Sequence, residues 1–332
     1  AEVMPLLEAV AGRVEQDGLY AAGFLAYEAA PAFDSALDVP AHDGSFPLLW
    51  FGLYPPPAAV TLPDGVPPLP TLQWRPSITP AAYRAAFRAV KEQITAGNTY
   101  QVNFSYRLHA PFRDDPWALF RRLIRAQSAA YGAYVDTGDF VLCSASPELF
   151  FRLEGTSLSS RPMKGTAPRA LTWAADEAQA CRLQESEKNR AENVMIVDMI
   201  RNDLGRVATV GSVHVPELFT VERYPTVWQM TSTVTAESTA GLPAIFRALF
   251  PCASITGAPK RSTMQIIAGL EDSPRQIYTG TIGYVAPGRR AQFNVAIRTV
   301  LVDRAAGRAT YGVGAVSYTH LRAHETVLDL VC

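Results

Sequence analysis

The sequence predicts an α+β fold built on antiparallel β-sheets, and three observations lead to this prediction. Strand-like runs follow one another along the chain instead of alternating with helices, which disfavours a doubly wound parallel sheet. Several separate segments carry apolar residues at three- and four-residue spacing, the pattern of amphipathic helices. The chain has 332 residues, 48% of them hydrophobic, which corresponds to one large or two modest domains at ~150 residues per domain.

The first predicted elements are a helix and two apolar strands within residues 1–54. Residues 55–70 are too rich in proline for a helix or a central strand, so we expect an extended connector. The next helix should begin after Thr79, which can cap it, with Pro80 in its first turn, and should end at Gly97. Periodicity then predicts strands at 102–108, 131–136, 140–144, 149–153, 212–215, 226–235, 281–285, 292–303 and 308–312, and helices at 116–125, 186–204, 242–249 and 260–270.

The composition excludes several classes of protein. Acidic residues (31) nearly balance basic residues (30), so we expect neither nucleic acid nor a membrane as partner. No apolar stretch approaches the ~18 residues of a membrane-spanning helix, and the charged first twenty residues do not resemble a signal peptide. Four widely spaced cysteines predict a reducing, cytoplasmic location and exclude a disulfide or zinc framework.

Six segments combine charged, polar and glycine residues in a way that scaffolding alone does not require. They are Tyr100–Ser105 (YQVNFS), Ser146–Glu148 (SPE), Pro162–Arg169 (PMKGTAPR), Glu187–Gly205 (EKNRAENVMIVDMIRNDLG), Ser254–Lys260 (SITGAPK), and the strand pair Tyr278–Tyr284 with Phe293–Thr299 (FNVAIRT). In this order they resemble the chorismate-utilising enzymes, which include anthranilate, isochorismate, salicylate and aminodeoxychorismate synthases. The resemblance is strongest to the aminodeoxychorismate-forming branch (component I). It implies an α/β sandwich like that of anthranilate synthase component I, with two packed, largely antiparallel sheets flanked by helices.

Glu148 and Lys164 are the candidate catalytic residues. A carboxyl placed after Pro147 at the start of a strand acts as a general acid if burial raises its pKa, although a lone glutamate there more often faces solvent. Lys164 lies in a predicted loop bounded by proline and glycine; unless it is a plain surface lysine, desolvation would make it a nucleophile. The resemblance implies that Lys164 attacks C2 of chorismate while Glu148 protonates the departing C4 hydroxyl.

Gln101 and Glu192 indicate the second substrate and the metal. Isochorismate- and salicylate-forming relatives place a lysine at the position of Gln101 to activate water, and glutamine cannot serve as that base. The resemblance therefore implies ammonia as the nucleophile. Glu192 follows Lys188 by four residues, a spacing that also suits a plain surface pair on a helix. The resemblance instead implies that Glu192 binds Mg²⁺, which prefers a few carboxylates together with water.

The remaining candidates would bind the two carboxylates of chorismate. Arg298 offers a bidentate grip, and Tyr278, predicted on a neighbouring strand, would place its hydroxyl beside it unless it only packs. Backbone N–H groups could approach the same carboxylates where side chains are small, namely at Thr256, Gly257, Gly312 and Gly314. Gln229 stands where several relatives carry a histidine, and an amide cannot perform acid–base chemistry there. Asn202 and Asp203 are interpreted as structural.

The implied activity is amination of chorismate at C4 to 4-amino-4-deoxychorismate, on the route to 4-aminobenzoate and folate. A separate glutamine amidotransferase would supply ammonia, because the chain has no glutaminase signature of its own. Anthranilate synthesis is one alternative, disfavoured by Lys164, where such enzymes usually carry alanine. An inactive chorismate-binding fragment is the other.

Three parts of the chain are predicted: an N-terminal part with the proline-rich connector (1–70), a catalytic region (71–315) and an atypical tail (316–332). The tail departs from the family pattern and looks like translated sequence foreign to a truncated reading frame. It places Val327, which cannot bind a metal, near the position expected for the second Mg²⁺ ligand.

Overall fold

The computed structural model describes residues 2–63, 65 and 68–318, and within them the chain forms sixteen strands and seven α-helices. The strands are β1 (Tyr20–Leu25), β2 (Leu49–Tyr54), β3 (Arg75–Pro76), β4 (Gln101–Pro111), β5 (Tyr131–Asp136), β6 (Phe140–Ser146), β7 (Leu149–Glu154), β8 (Ser157–Arg161), β9 (Met163–Pro168), β10 (His214–Arg223), β11 (Val227–Glu237), β12 (Gly257–Ala258), β13 (Thr281–Ala286), β14 (Arg290–Val295), β15 (Thr299–Asp303) and β16 (Arg308–Tyr318). The helices are α1 (Val3–Asp17), α2 (Pro80–Thr95), α3 (Pro116–Gln127), α4 (Trp173–Glu185), α5 (Glu187–Gly205), α6 (Leu242–Leu249) and α7 (Lys260–Leu270).

Two sheets organise the described part of the chain. The first contains nine strands in the order β10-β11-β8-β7-β14-β13-β1-β2, with β9 also paired to β11. The second contains seven strands in the order β12-β4-β16-β15-β6-β5, with β3 also paired to β4. Neighbouring strands are antiparallel in both sheets. The predicted α+β class with two largely antiparallel sheets is therefore confirmed.

Side-chain caps explain where several helices begin. The Thr79 hydroxyl accepts a 3.2 Å hydrogen bond from the Ala82 N–H at the start of α2, as its position before Pro80 predicts. Ser186 caps α5 in the same way, through the N–H of Asn189. Each cap satisfies a backbone donor that the first turn of a helix leaves without a partner.

Apolar side chains fill two layers around the nine-stranded sheet. One face packs against helices α1, α5 and α6, through buried residues that include Leu7, Phe151, Ile196, Phe246 and Phe293. The two sheets meet in a smaller cluster that contains Phe24, Leu142, Ile282 and Leu301. Both sheets contribute side chains to this cluster, so it joins them into one packed core.

The structure corrects the sequence prediction at several places. Residues 292–303 do not form one strand: β14 belongs to the nine-stranded sheet and β15 to the seven-stranded sheet, and the chain crosses between them at Arg298, where φ is +50°. The apolar pattern of residues 292–303 continues through both buried strands, so it does not indicate a corner between them. Lys164 lies in strand β9, not in a loop. Helix α4 was not predicted, because it buries few apolar residues and shows no clear period.

The two ends of the chain differ in what the structure describes. Strands β1 and β2 of the N-terminal part extend the nine-stranded sheet beyond β13. The described residues of the proline-rich connector form neither helix nor strand, as expected. Residues 319–332, including Val327, lie outside the described residues.

Candidate active site

Glu148 occupies a buried position immediately before β7 and is 3% exposed. Its Oε1 accepts a 2.6 Å hydrogen bond from the Ser254 hydroxyl. Burial raises the pKa of Glu148, against the Ser254 hydrogen bond, the Lys164 charge and a hydrogen bond from the Met163 N–H, which lower it. A carboxyl whose pKa is raised in this way stays protonated at higher pH and is able to donate a proton.

Lys164 lies in a bulge of strand β9. Met163 is opposite Thr231 and Thr166 is opposite Gln229, so the two residues between them oppose the single residue Met230. Gly165 adopts φ +101° there, which explains the glycine after the lysine in the PMKGT segment. A bulge re-aims the side chain that it carries, and bulges of this kind recur next to active sites.

Lys164 lies within electrostatic reach of three acidic side chains. Burial lowers the pKa of Lys164, while the charges of Glu148, Glu192 and Cys252 raise it. Loss of water around the ammonium thus outweighs the three neighbours, and the neutral amine forms at lower pH than for a free lysine. The neutral amine is the nucleophilic form.

Arg298 lies at the corner between β14 and β15 rather than on a strand, which corrects the prediction of its location. Its Nη1 donates a 2.6 Å hydrogen bond to Gln127 Oε1. The Arg298 charge lowers the pKa of Glu148 and counteracts the rise in the pKa of Tyr224. The guanidinium therefore lies within electrostatic reach of Glu148, where it could hold an anionic substrate group.

Tyr278 lies in the turn before β13, which again corrects its predicted location on a strand, and its ring packs against β16. A Cβ atom at Gly312 would lie 2.0 Å from Tyr278 Cγ, and one at Gly314 would lie 2.5 Å from the Tyr278 hydroxyl oxygen. The hydroxyl also hydrogen-bonds with the Asn103 side chain, which lowers its pKa against the larger effect of burial. The close approach of the tyrosine explains why both positions carry glycine. A role of their N–H groups in binding substrate stays a prediction.

The turn at 254–257 contacts both Glu148 and Asn103 of β4. Ser254 binds Glu148, and the next carbonyl, that of Ile255, accepts a 2.8 Å hydrogen bond from Asn103 Nδ2. Thr256 is fully buried, and its hydroxyl donates to the Cys252 carbonyl. A Cβ atom at Gly257 would lie 2.0 Å from the carbonyl oxygen of Gln101, so only glycine allows β12 to approach β4 this closely.

Gln101 has a side-chain amide that is fully buried, and neither its oxygen nor its nitrogen has a hydrogen-bond partner among the residues described. Leaving a buried donor and acceptor unsatisfied is costly, so such an amide calls for a partner. Its position on β4 beside β12 places it next to Gly257 and Ala258. A polar substrate atom would satisfy it.

Two other residues considered in the sequence have protein partners. Gln229 accepts a 3.0 Å hydrogen bond from the Thr166 hydroxyl across β9 and β11. Asp203 forms a 2.9 Å ion pair with Lys260, which ties α5 to α7. These contacts are structural. Asn202 is exposed near the end of α5.

The described residues offer one carboxylate for the predicted metal. Glu192 is partly exposed on α5 and close enough to Lys164 for its charge to raise that pKa. No three His, Cys, Asp or Glu side chains in this part of the chain lie together as a metal site. Mg²⁺ is often bound by one or two carboxylates together with substrate oxygens and water, so Glu192 fits that role only with help from the substrate.

Three residues of the site were not singled out from the sequence. Ser254 and Asn103 lie inside recognised segments and hold Glu148, Tyr278 and the 254–257 turn. Asn193, next to the predicted metal ligand, bonds the Lys164 carbonyl at 3.4 Å and accepts from a serine hydroxyl on β11 at 2.6 Å. For Asn103 the sequence did contain a signal, because polar residues alternate with apolar ones along β4 although both faces of this strand are buried.

Comparison with known proteins identifies the class of the chain. The family described as chorismate binding enzyme matches residues 6–317. The chain belongs to this family.

Two relatives and one solved structure show how far the similarity extends. Aminodeoxychorismate synthase component 1 of Salmonella typhimurium is 42% identical over 79% of this chain and 58% of its own length. Anthranilate synthase component 1 of Streptomyces coelicolor is 36% identical over 74% of this chain and 49% of its own. Anthranilate synthase component I from Streptococcus pneumoniae superimposes with a TM-score of 0.84 at 23% identity, covering 96% of this chain and 82% of that one, and shows the shared fold.

The chain spans about half the length of the curated relatives it matches. In the part of it that the structure describes, no helix is both long and apolar enough to cross a membrane.

Proposed function

We propose that the chain aminates chorismate at C4 to give 4-amino-4-deoxychorismate, on the route to 4-aminobenzoate and folate. The observation that carries this proposal is the pairing of Lys164 with Glu148, whose pKa values are shifted in opposite directions by burial. An acid that keeps its proton and an amine that loses its proton are the two groups that the reaction needs. Greater identity to the aminodeoxychorismate synthase (42%) than to the anthranilate synthase (36%) supports the same assignment.

In the first step, neutral Lys164 attacks C2 of chorismate. Both ring double bonds shift by one position, the C4–oxygen bond breaks, and the departing hydroxyl takes the proton of Glu148 and leaves as water. The products are a lysine adduct at C2 and the Glu148 carboxylate. Splitting one difficult displacement into two easier ones is the purpose of a covalent nucleophile.

In the second step, ammonia attacks C4 and both ring double bonds shift back. The C2–nitrogen bond breaks, and Lys164 leaves as the neutral amine. The new C4 ammonium returns one proton to Glu148, which restores the acid for the next turnover. Gln101 supports ammonia in this role, because its amide can orient a nucleophile but cannot deprotonate water.

The substrate carboxylates would be held by the surrounding residues. Arg298 would bind one of them with its guanidinium, and Tyr278, with the backbone of Thr256 and Gly257, would line the other. Glu192 would hold Mg²⁺ together with water and a chorismate carboxylate, and the ion would neutralise negative charge on the substrate.

A separate glutamine amidotransferase subunit would supply the ammonia. The designation "component 1" in the relatives' names supports a second component, and the sequence carries no glutaminase signature. We place the reaction in the cytoplasm, since Cys143, Cys181 and Cys252 are free thiols, which suits a reducing compartment.

A product assay tests the proposal. The chain is incubated with chorismate, Mg²⁺ and either ammonium or glutamine, and products are separated by mass. We expect aminodeoxychorismate with ammonium and none with glutamine until an amidotransferase is added. Fluorescent anthranilate would instead establish the anthranilate synthase activity. Chorismate-dependent thermal stabilisation without any product would indicate a fragment that binds but does not react.

A further inference from the structure

One guanidinium, that of Arg275, ties together three segments of the proposed chorismate site. Its Nη1 donates at 3.2 Å to the Ile255 carbonyl and at 3.2 Å to the Thr279 hydroxyl. Its Nη2 donates at 2.6 Å to the Asn103 carbonyl, and Nε and Nη2 both bond the Glu271 carboxylate. An arginine has five N–H donors, and all five are used. Arg275 is 1% exposed and precedes the turn that carries Tyr278.

The carboxylate that balances this charge is equally buried. Burial alone would raise the pKa of Glu271, but the charges of Arg275 and Arg107 outweigh it and lower that pKa, so the carboxylate is ionised. The N–H and hydroxyl of Ser105 both donate to Glu271 Oε1, at 2.9 and 2.8 Å. A buried ion pair with every donor and acceptor satisfied is rigid, because moving either partner leaves a charge without compensation.

The N-terminal part of the chain fixes the backbone on the other side of Arg275. Glu28 accepts hydrogen bonds from the N–H groups of Arg275 at 2.6 Å and Gln276 at 2.9 Å. The Tyr27 ring lies against the guanidinium, with 4.5 Å between the ring centroid and Arg275 Cζ. Tyr27 therefore holds the side chain of Arg275, and Glu28 holds its main chain.

The link from Arg275 to the substrate side runs through Thr279. The Thr279 hydroxyl accepts from Arg275 and donates at 2.6 Å to the Tyr278 carbonyl. Thr279 has φ +61°, a left-handed conformation that a β-branched residue adopts only when its surroundings impose it. This turn places the Tyr278 ring against Gly312 and its hydroxyl beside Asn103.

We propose that Arg275 is a positioning residue for chorismate binding, acting through Thr279 on Tyr278 and through the Ile255 and Asn103 carbonyls on the 254–257 turn and β4. This inference rests on the proposed function, because it assumes that these segments bind chorismate. Arg275 itself touches none of the reacting atoms, since all of its donors are bound to protein. Loss of its hydrogen bonds would therefore weaken substrate binding more than it slows the chemical steps.

The decisive experiment compares Thr279→Ala with Thr279→Ser. Both substitutions remove the same methyl group, and only Thr279→Ala removes the hydroxyl. With saturating ammonium and Mg²⁺, we expect Thr279→Ala to raise the KM for chorismate about tenfold with kcat changed less than about threefold, and Thr279→Ser to stay within about twofold of the parent chain. Arg275→Lys, which supplies three donors in place of five, should raise KM at least as much.

Leu7→Ala serves as the stability control, because Leu7 is fully buried on α1 outside this cluster. It should lower the melting temperature without changing KM. Equal KM values for Thr279→Ala and Thr279→Ser, or a rise in KM for Leu7→Ala as well, would overturn the positioning role. Should Arg275→Lys fail to fold, the Thr279 pair decides alone.

Chorismate-dependent thermal stabilisation separates this inference from the proposed function. If the parent chain binds chorismate without aminating it, the proposed function is wrong, and the Thr279 pair is compared by the size of the thermal shift instead of KM. If the parent chain shows neither product nor a thermal shift, both proposals are overturned together.

Discussion

Glu148 and Lys164 each shift the pKa of the other, and burial opposes both shifts. The Lys164 charge lowers the pKa of Glu148 and the Glu148 charge raises that of Lys164, yet desolvation leaves the carboxyl with a raised pKa and the amine with a lowered one. Both neutral forms are therefore favoured relative to the free side chains. A neutral acid beside a neutral amine is the starting state of the proposed reaction.

Replacing Lys164 with alanine should abolish amination. Without the nucleophile, we expect the rate of aminodeoxychorismate formation to fall on the order of 10³-fold. Lys188→Ala is the matched control, since this lysine is exposed on α5, and it should leave the rate unchanged. Intact-protein mass spectrometry with chorismate but no ammonium should detect an adduct of chorismate minus water on the parent chain and none on Lys164→Ala. Retained activity in that variant would exclude the covalent route.

Ser254→Ala should change the pH profile in a defined direction. The Ser254 hydroxyl donates to Glu148 and lowers its pKa, so its removal raises that pKa. The active form needs protonated Glu148 and neutral Lys164. At pH values above both apparent pKa values, the small fraction of protonated Glu148 limits the rate, so Ser254→Ala should be more active than the parent chain. At pH values below both, the small fraction of neutral Lys164 limits the rate, so the two should have equal activity.

The measurement is kcat/KM against pH for the parent chain, Ser254→Ala and Ser262→Ala. Ser262→Ala removes an exposed hydroxyl on α7 that donates to the Pro259 carbonyl at 3.4 Å, and its profile should match that of the parent chain. A Ser254→Ala profile that shifts on the acid side instead would contradict the assignment of Glu148 as the proton donor.

Glu192→Gln should weaken the joint binding of Mg²⁺ and chorismate. The substitution keeps the shape of the side chain and removes the one carboxylate offered to the metal, so we expect a loss of at least about tenfold in apparent Mg²⁺ affinity. Mg²⁺ titrations followed by melting temperature in the presence of chorismate provide a measurement independent of turnover. Glu187→Gln, on the exposed first turn of the same helix, is the control. Identical titrations for both variants would remove Glu192 from the metal site.

Gly312→Ala should damage both stability and substrate binding. The added Cβ would lie 2.0 Å from Tyr278 Cγ, so the ring must move, at a cost of about 1–3 kcal/mol in the free energy of unfolding. We also expect a raised KM for chorismate, because Tyr278 leaves its position. Gly12→Ala, inside α1 with no atom outside the local helix within 4 Å of the new Cβ, should instead stabilise the chain by about 0.5–1 kcal/mol. Thermal and urea unfolding of the two variants measure the difference.

The sequence predicted the fold class, the Thr79 cap of α2 and the segments that carry the site. The Thr79 cap could be recognised because capping depends on a few neighbouring residues. The corner at Arg298 could not, because β14 and β15 are buried on both sides and their apolar pattern does not report which sheet each joins. The bulge at Lys164 escaped for a similar reason: it is defined by the register against Met230, which lies far away in the sequence.

The sequence by itself determined which groups are available for chemistry: a lysine before a glycine, a glutamate after a proline, a buried-strand glutamine and a lone helical glutamate. The tertiary structure decided their chemical states and their supports. The pKa shifts of Glu148 and Lys164 arise from burial, and the five hydrogen bonds of Arg275 join segments far apart in the chain. Desolvation and long-range hydrogen bonding depend on distances in space, and a local pattern of residues does not encode them.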